Sequence, residues 1–282
     1  MAVIATGFFD GVHLGHRRLI ESLVQCAKDH AEPGIVMTFW PHPRMVLQKD
    51  ARKLRLLSTV QEKERRLKAL GVDRIEVLPF TRKFASLTAE KYLKDVLLTR
   101  YPGCKLILGY DNRLGSDQLS PQETLALASS LGINAIMCDA YGDISSTKIR
   151  KAMSEGRIEF ANQCLGYDYS LRGVVVEGKQ LGRTIGYPTA NMQMYDPLKV
   201  VPKCGAYLTK VRVLDREFYG MTNVGPVIET HIFDFDDDIY GLDIELTFES
   251  FIRDEMKFSS VEELKNQLRI DEMSAKNHIF GI

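Results

Sequence analysis

Val3-Ile4-Ala5-Thr6-Gly7-Phe8-Phe9-Asp10-Gly11-Val12-His13-Leu14-Gly15-His16 holds a strand, a turn and a helix start in unbroken succession. The apolar run Val3 to Phe8 has β character, and Gly7 and Gly11 bracket the point where the chain turns. Leu19, Ile20, Leu23, Val24 and Ala27 then recur at helical spacing, which predicts an amphipathic helix over Leu14 to His30. Outward from this unit, the runs Ile35 to Trp40, Ile75 to Phe80, Leu106 to Gly109 and Ala135 to Cys138 alternate with helical patterns up to about residue 165. Such alternation specifies an α/β fold with a parallel sheet and crossover helices, and a ligand site at the carboxyl ends of its strands.

A strand that turns directly into a helix through Gly7, Phe8 and Asp10 aims backbone N–H groups and the positive end of the helix dipole at the space above the sheet. An anion suits that position. His13 and His16 are three residues apart across the helix start, so both rings can face one side, and Gly15 allows close approach. Two imidazoles converging on a phosphate would stabilise charge during displacement at phosphorus. The plainer alternatives are two incidental helix-start residues, or a metal pair that lacks a third ligand.

After Tyr169 the texture becomes strand runs separated by turn residues: Gly173 to Val176, Ala206 to Leu214, Phe218 to Val224, Thr230 to Phe235 and Asp243 to Phe248. These predict a small antiparallel barrel or sandwich. Ser260-Val261-Glu262-Glu263 has the form of a capping box that opens a closing helix with Leu264 and Leu268 among its apolar positions. The domain boundary is expected at residues 166/167, giving domains 1–166 and 167–282. Gly178, Gly182, Arg183 and Gly186 form a loop free to wrap a polyphosphate, and it runs into Pro188-Thr189-Ala190-Asn191. Thr189 and Asn191, two apart in an extended segment, offer hard oxygens suited to Mg²⁺. A glycine-rich connection ending in a proline turn is the structural alternative.

Of the 282 residues, 45% are hydrophobic and 26% charged, with 37 basic residues balancing 37 acidic ones, so no overall field draws the chain to nucleic acid or anionic lipid. The five cysteines are odd in number and show no Cys-x-x-Cys pair, which predicts reduced, buried thiols rather than zinc or redox chemistry. No basic leader and no apolar run long enough for a membrane span stands out, so the expected location is the cytoplasm. Oligomeric state is not encoded in any of these patterns.

His13-Leu14-Gly15-His16 resembles the His-x-Gly-His signature of the nucleotidyltransferase superfamily, whose members transfer a nucleotidyl group directly from a nucleoside triphosphate. Ser145-Ser146-Thr147-Lys148-Ile149-Arg150 resembles that superfamily's second signature, which implies hydroxyls, amides and a guanidinium around the β and γ phosphates. By itself the same string is an N-cap followed by a solvated arginine. Thr38 to Pro43 and Gly109 to Gly115 fit the family too, and imply that His42, Asp111 and Asn112 line the nucleotide and flavin pocket.

Arg172 to Asn191, with Ile228 to Phe235 and Asp238 to Gly241, resembles riboflavin kinase. That resemblance implies that Glu229 is the base that takes the ribityl proton. The family usually carries a longer loop where only Pro226-Val227-Ile228 precede Glu229 here. Together the halves resemble the bifunctional bacterial riboflavin kinase/FAD synthetase family. A Rossmann-like nucleotidyltransferase domain followed by a riboflavin-kinase barrel with a C-terminal helix is implied, with catalytic His13, His16 and Glu229. Riboflavin, FMN and ATP are the implied substrates, FMN and FAD the products, and Mg²⁺ the metal. The competing readings are a nucleotidyltransferase for another phosphate ester with a non-catalytic flavin-binding barrel, and a flavin-binding regulator with a degenerate kinase site.

Overall fold

A computed structural model describes residues 1–47, 54–178 and 181–281. The chain divides into two compact units, Met1–Ser146 and Thr147–Ile282. Two residues of the kinase-like run, 179 and 180, lie outside the described residues.

In the first unit the elements run β1 (Val3–Thr6), a 3-10 turn (Asp10–Val12), α1 (Leu14–Asp29), β2 (Gly34–Trp40), α2 (Pro43–Leu47), α3 (Val60–Ala69) and β3 (Arg74–Pro79). They continue through α4 (Arg82–Ala85), α5 (Ala89–Lys91), a π-helical stretch (Tyr92–Leu98), β4 (Lys105–Gly109), α6 (Pro121–Ser130) and β5 (Asn134–Cys138). The strands are parallel, in the order β3-β2-β1-β4-β5. All four β1 residues are buried, as a central strand covered on both faces requires. Alternate residues serve opposite faces. Val3, Ala5 and Val36 pack under the Leu19, Ile20 and Leu23 side of α1, whereas Ile4, Met37 and Leu106 pack against Tyr92, Leu93 and Leu97. Because the chain runs outward from β1 to β3 and crosses back to β4, the order reverses between β1 and β4, which opens a crevice at their carboxyl ends.

Helix α7 (Ser146–Ser154) starts at the last residue of the first unit and lies otherwise in the second, where α8 (Ile158–Leu165) follows. Strands β6 (Ser170–Val176), β7 (Ala190–Met194), β8 (Gly205–Val213), β9 (Arg216–Val224), β10 (Ile228–Ile232) and β11 (Asp243–Asp254) close into an antiparallel barrel ordered β10-β7-β6-β11-β8-β9. This decides for the barrel over the sandwich. Strand β7, expected only as an extended segment, supplies the sixth stave between β6 and β10. The short helix α9 (Leu181–Thr184) precedes it, and α10 (Val261–Phe280) packs Leu264, Leu268 and Ala275 against Leu208, Met221 and Phe233.

Two expectations change. At the α10 start Ser260 Oγ accepts from Glu263 N, but the Glu263 carboxylate accepts from Ser259 N and Oγ rather than closing the box on Ser260. All five cysteines are free as expected, yet only Cys104 and Cys164 are buried, and Cys204 is exposed. Cys204 immediately precedes β8, at the strand's edge.

Candidate functional sites

The turn after β1 departs sharply from ordinary backbone. Phe9, Gly11 and Val12 all have positive φ, at 51°, 80° and 42°. For β-branched Val12 this costs on the order of 1–3 kcal/mol, so the surroundings must impose it. Asp10 does so: its carboxylate, only 3% exposed, accepts from Leu57 N at 3.0 Å and Ser58 N at 3.1 Å. Ser58 Oγ in turn accepts from Gly11 N at 3.0 Å. Asp10 therefore acts on the turn's shape by tying it to the segment that carries Leu57 and Ser58. Gly7 donates its amide to Met37 O, and a Cβ there would lie 2.9 Å from the Phe9 ring.

His13 is the N-cap of α1, in extended conformation, and its Nδ1 accepts from His16 N at 3.3 Å. A nitrogen that accepts carries no proton, so the His13 ring is fixed with Nε2 as its N–H donor. The two rings are stacked, with centroids 3.6 Å apart and planes 17° from parallel. The shared face expected from spacing is thus realised. A Cβ on Gly15 would come within 3.2 Å of the His13 ring, so the glycine accommodates the imidazole. His13 is 5% exposed and His16 is partly exposed.

Burial, then the neighbouring His13 and Lys63, hold the His16 pKa well below its usual 6.5. The ring is neutral at pH 7, and among the described residues its Nδ1 has no hydrogen-bond partner. The native state binds this proton later than the unfolded chain does. Stability from this group is therefore complete above about pH 6.5 and is lost as pH falls from there toward the native pKa. His16→Ala is expected to flatten this acid-side loss, read as a smaller drop in urea midpoint between about pH 7.5 and about pH 5.

Around the crevice, His42 packs on the Phe8 ring at 3.9 Å between centroids and accepts Arg44 N on Nδ1. From the end of β4, Asn112 Nδ2 reaches Thr6 O at 3.5 Å, and its buried Oδ1 has no partner among the described residues. Asp111 is exposed. Ser146 Oγ donates to Asp10 O at 3.0 Å, and Ser145 precedes it. Thr147 and Arg150 lie on the first two turns of α7, in the second unit. Sequence reasoning missed Ser58 and Lys63. Lys63 sits on α3 within a run of charges, Glu62-Lys63-Glu64-Arg65-Arg66, whose composition matches a solvated helix face.

In the barrel, β10 lies between β7 and β9, with Glu229 directly opposite Asn191 on one side and Asn223 on the other. Opposed residues of antiparallel strands share a face, so these three polar side chains form one row. Among the described residues Glu229 makes no side-chain hydrogen bond or ion pair, and neither Asn191 nor Thr189 makes a side-chain hydrogen bond. Gly178 lies so close to the Asn191 amide that a Cβ there would overlap it, and a Cβ at Gly182 would overlap the Tyr187 carbonyl. Gly186 turns the chain at φ 85°. His231 Nδ1–H donates to Pro188 O at 2.8 Å and so pins the start of the Thr189 segment from β10. A cavity of about 330 Å³ opens beside this segment, bounded by Arg183, Thr189, Thr230, Asp236 and Tyr240; Glu229 and Asn191 are not among its walls. The short Pro226 connection is a closed hairpin turn, with Gly225 N bonded to Val227 O.

Residues 1–152 match the family model described as FAD synthetase, and residues 165–279 match that described as riboflavin kinase. A bifunctional riboflavin kinase/FMN adenylyltransferase of Listeria monocytogenes is 35% identical, covering 97% of this chain and 91% of its own. One of the same description from Escherichia coli K12 is 34% identical, covering 99% and 93%. A crystal structure described as a macrolide-efflux protein from Streptococcus pneumoniae superposes with a TM-score of 0.90 at 33% identity, covering 98% of this chain and 94% of that one. No helix among the described residues here is long and apolar enough to cross a membrane. With both parts matched in the same order as in these full-length relatives, the chain belongs to the bifunctional riboflavin kinase/FMN adenylyltransferase family.

Proposed function

We propose that this chain converts riboflavin to FAD at two separate ATP sites. The second phosphorylates riboflavin to FMN with release of ADP, and the first joins FMN to the adenylyl group of ATP with release of pyrophosphate. The observation that carries this reading is the presence, in two separately folded units, of the stacked His13–His16 pair at a sheet switch point and the Glu229–Asn191 pair on a barrel. The functional division is assigned to residues 1–166 and 167–282. ATP use and unpaired cysteines support a cytoplasmic protein.

At the barrel, Glu229 is assigned as the base that accepts the ribityl hydroxyl proton while that oxygen attacks the γ-phosphorus of ATP. Its freedom from ion pairs suits this role. Gly178, Gly182, Arg183 and Gly186 are assigned to the ATP phosphates; Gly178 and Gly182 lie against the Asn191 amide and the Tyr187 carbonyl, which keeps the segment beside Thr189. Thr189 and Asn191 offer two neutral oxygens with no internal side-chain partner among the described residues, a donor set that fits Mg²⁺ held partly by water. When bound, Mg²⁺ would offset the negative charge that the phosphates carry.

At the sheet, the FMN phosphate is ionised at neutral pH and needs no base to attack the α-phosphorus. The His13 Nε2–H and neutral His16 are assigned to stabilise charge there by donating hydrogen bonds. Gly7, Phe8 and Gly15 shape the turn, and Ser145 and Ser146 adjoin it. His42, Asp111 and Asn112 are assigned to the flavin side.

Purified protein given riboflavin, ATP and Mg²⁺, with flavins separated by chromatography, is expected to yield FMN and then FAD; riboflavin left unchanged refutes the reading. Gly178→Ala is expected to push the Asn191 amide aside and raise the Mg²⁺ concentration for half-maximal FMN formation by about tenfold, with FAD formation from FMN unaffected. A magnesium titration of both reactions checks it.

A further inference from the structure

We propose that Lys63 is a positioning residue of the adenylyl-transfer site, its ammonium holding the Gly7–Phe8 turn in shape and supplying a positive charge beneath it. This rests on the functional reading above. Lys63 is 2% exposed; Nζ donates to Phe8 O at 2.8 Å and Thr38 Oγ1 at 3.0 Å and lies 4.1 Å from the Phe8 ring centroid. One group thereby ties the turn after β1 to β2 and α3.

Thr38 Oγ1 itself donates to Phe8 O at 3.2 Å, so the carbonyl has a partner without the lysine. Burying an ammonium costs several kcal/mol, and an apolar side chain of similar length would avoid that cost. The charge therefore calls for a reason beyond hydrogen bonding, and the polyanion expected over the neighbouring turn supplies one. The groups that face Lys63 are Asp10 on the 3-10 turn, Glu64 on α3 itself, and His16 on α1, which stacks on His13. Asp10 is already taken by the amides of residues 57 and 58. His16 is kept neutral, in part by Lys63. Burial lowers the Lys63 pKa to about 8, against the opposing pull of Asp10. The charge is present at pH 7 and disappears as the solution becomes alkaline.

The test is the pH dependence of kcat/KM for FAD formation from supplied FMN, between about pH 6 and about pH 10, in wild type, Lys63→Arg and Lys63→Met. FMN formation from riboflavin in the same preparations is the internal control, since it uses the same ATP and Mg²⁺. Wild type is expected to lose adenylylation with an alkaline limb near pH 8 that the kinase reaction lacks. Lys63→Arg, always charged, should move that limb upward, and Lys63→Met should lower the pH 7 value about tenfold or more and remove the limb. The proposal is overturned by a Lys63→Met protein with wild-type rate, by a limb that Lys63→Arg leaves in place, or by one limb common to both reactions. If Lys63→Met also loses kinase activity, the arginine profile alone decides. Wild-type protein that makes no FAD at any pH refutes the functional reading and this assignment with it, whereas a normal wild-type rate without the limb refutes only this assignment.

Discussion

Glutamine in place of Glu229 is expected to lower FMN formation from riboflavin by about 10²–10⁴-fold, the usual worth of a positioned general base. Glu229 sits mid-strand, in register with Asn191 and Asn223, so an isosteric amide keeps the ladder and changes only the capacity to take a proton. It supports no ion pair among the described residues, so stability gives no competing account of lost turnover. The same protein should adenylylate supplied FMN within about twofold of wild type, as independent sites do. Initial rates of ADP and pyrophosphate release, measured with riboflavin and with FMN respectively, check both halves. A Glu229→Gln protein that phosphorylates riboflavin at the wild-type rate removes the carboxylate from the mechanism.

His16→Ala is expected to do the reverse. FAD formation from FMN should fall by about 10²–10³-fold, the scale for losing one preorganised donor to developing charge, while FMN formation persists. Neutral His16 contributes a dipole and an N–H rather than a full charge, which places the expected loss in this range. The substitution also removes the ring that stacks on His13. His13 remains oriented through its Nδ1 by the His16 backbone amide, which alanine retains. Some adenylylation should therefore survive, and it should vanish in the double variant lacking both rings.

Periodicity revealed most of the architecture because the forces that fix it are local. The β1 and β2 runs are apolar because both sheet faces are covered, and Leu19 to Ala27 advertise α1 because one helix stripe is buried. Strand β7 was harder to read: Asn191 and Gln193 break its apolar character, and Asn191 is buried for its place opposite Glu229 rather than for hydrophobicity. The support of the first site was invisible for a related reason. Asp10, Ser58 and Lys63 meet through tertiary contacts between segments about fifty residues apart, and nothing in the spacing marks one lysine of a charged helix as buried. His13 and His16 were legible because the same helix start carries both.

Mixing the two single variants puts the separateness of the sites to the strictest trial. Given riboflavin, ATP and Mg²⁺ for the time wild type needs to finish, Glu229→Gln alone should leave nearly all riboflavin unconverted and His16→Ala alone should accumulate FMN with little FAD. The two together should form FAD, because FMN released by one protein is substrate for the other. A mixture that forms no FAD, or single variants that each lose both reactions equally, would contradict two independent sites on this chain.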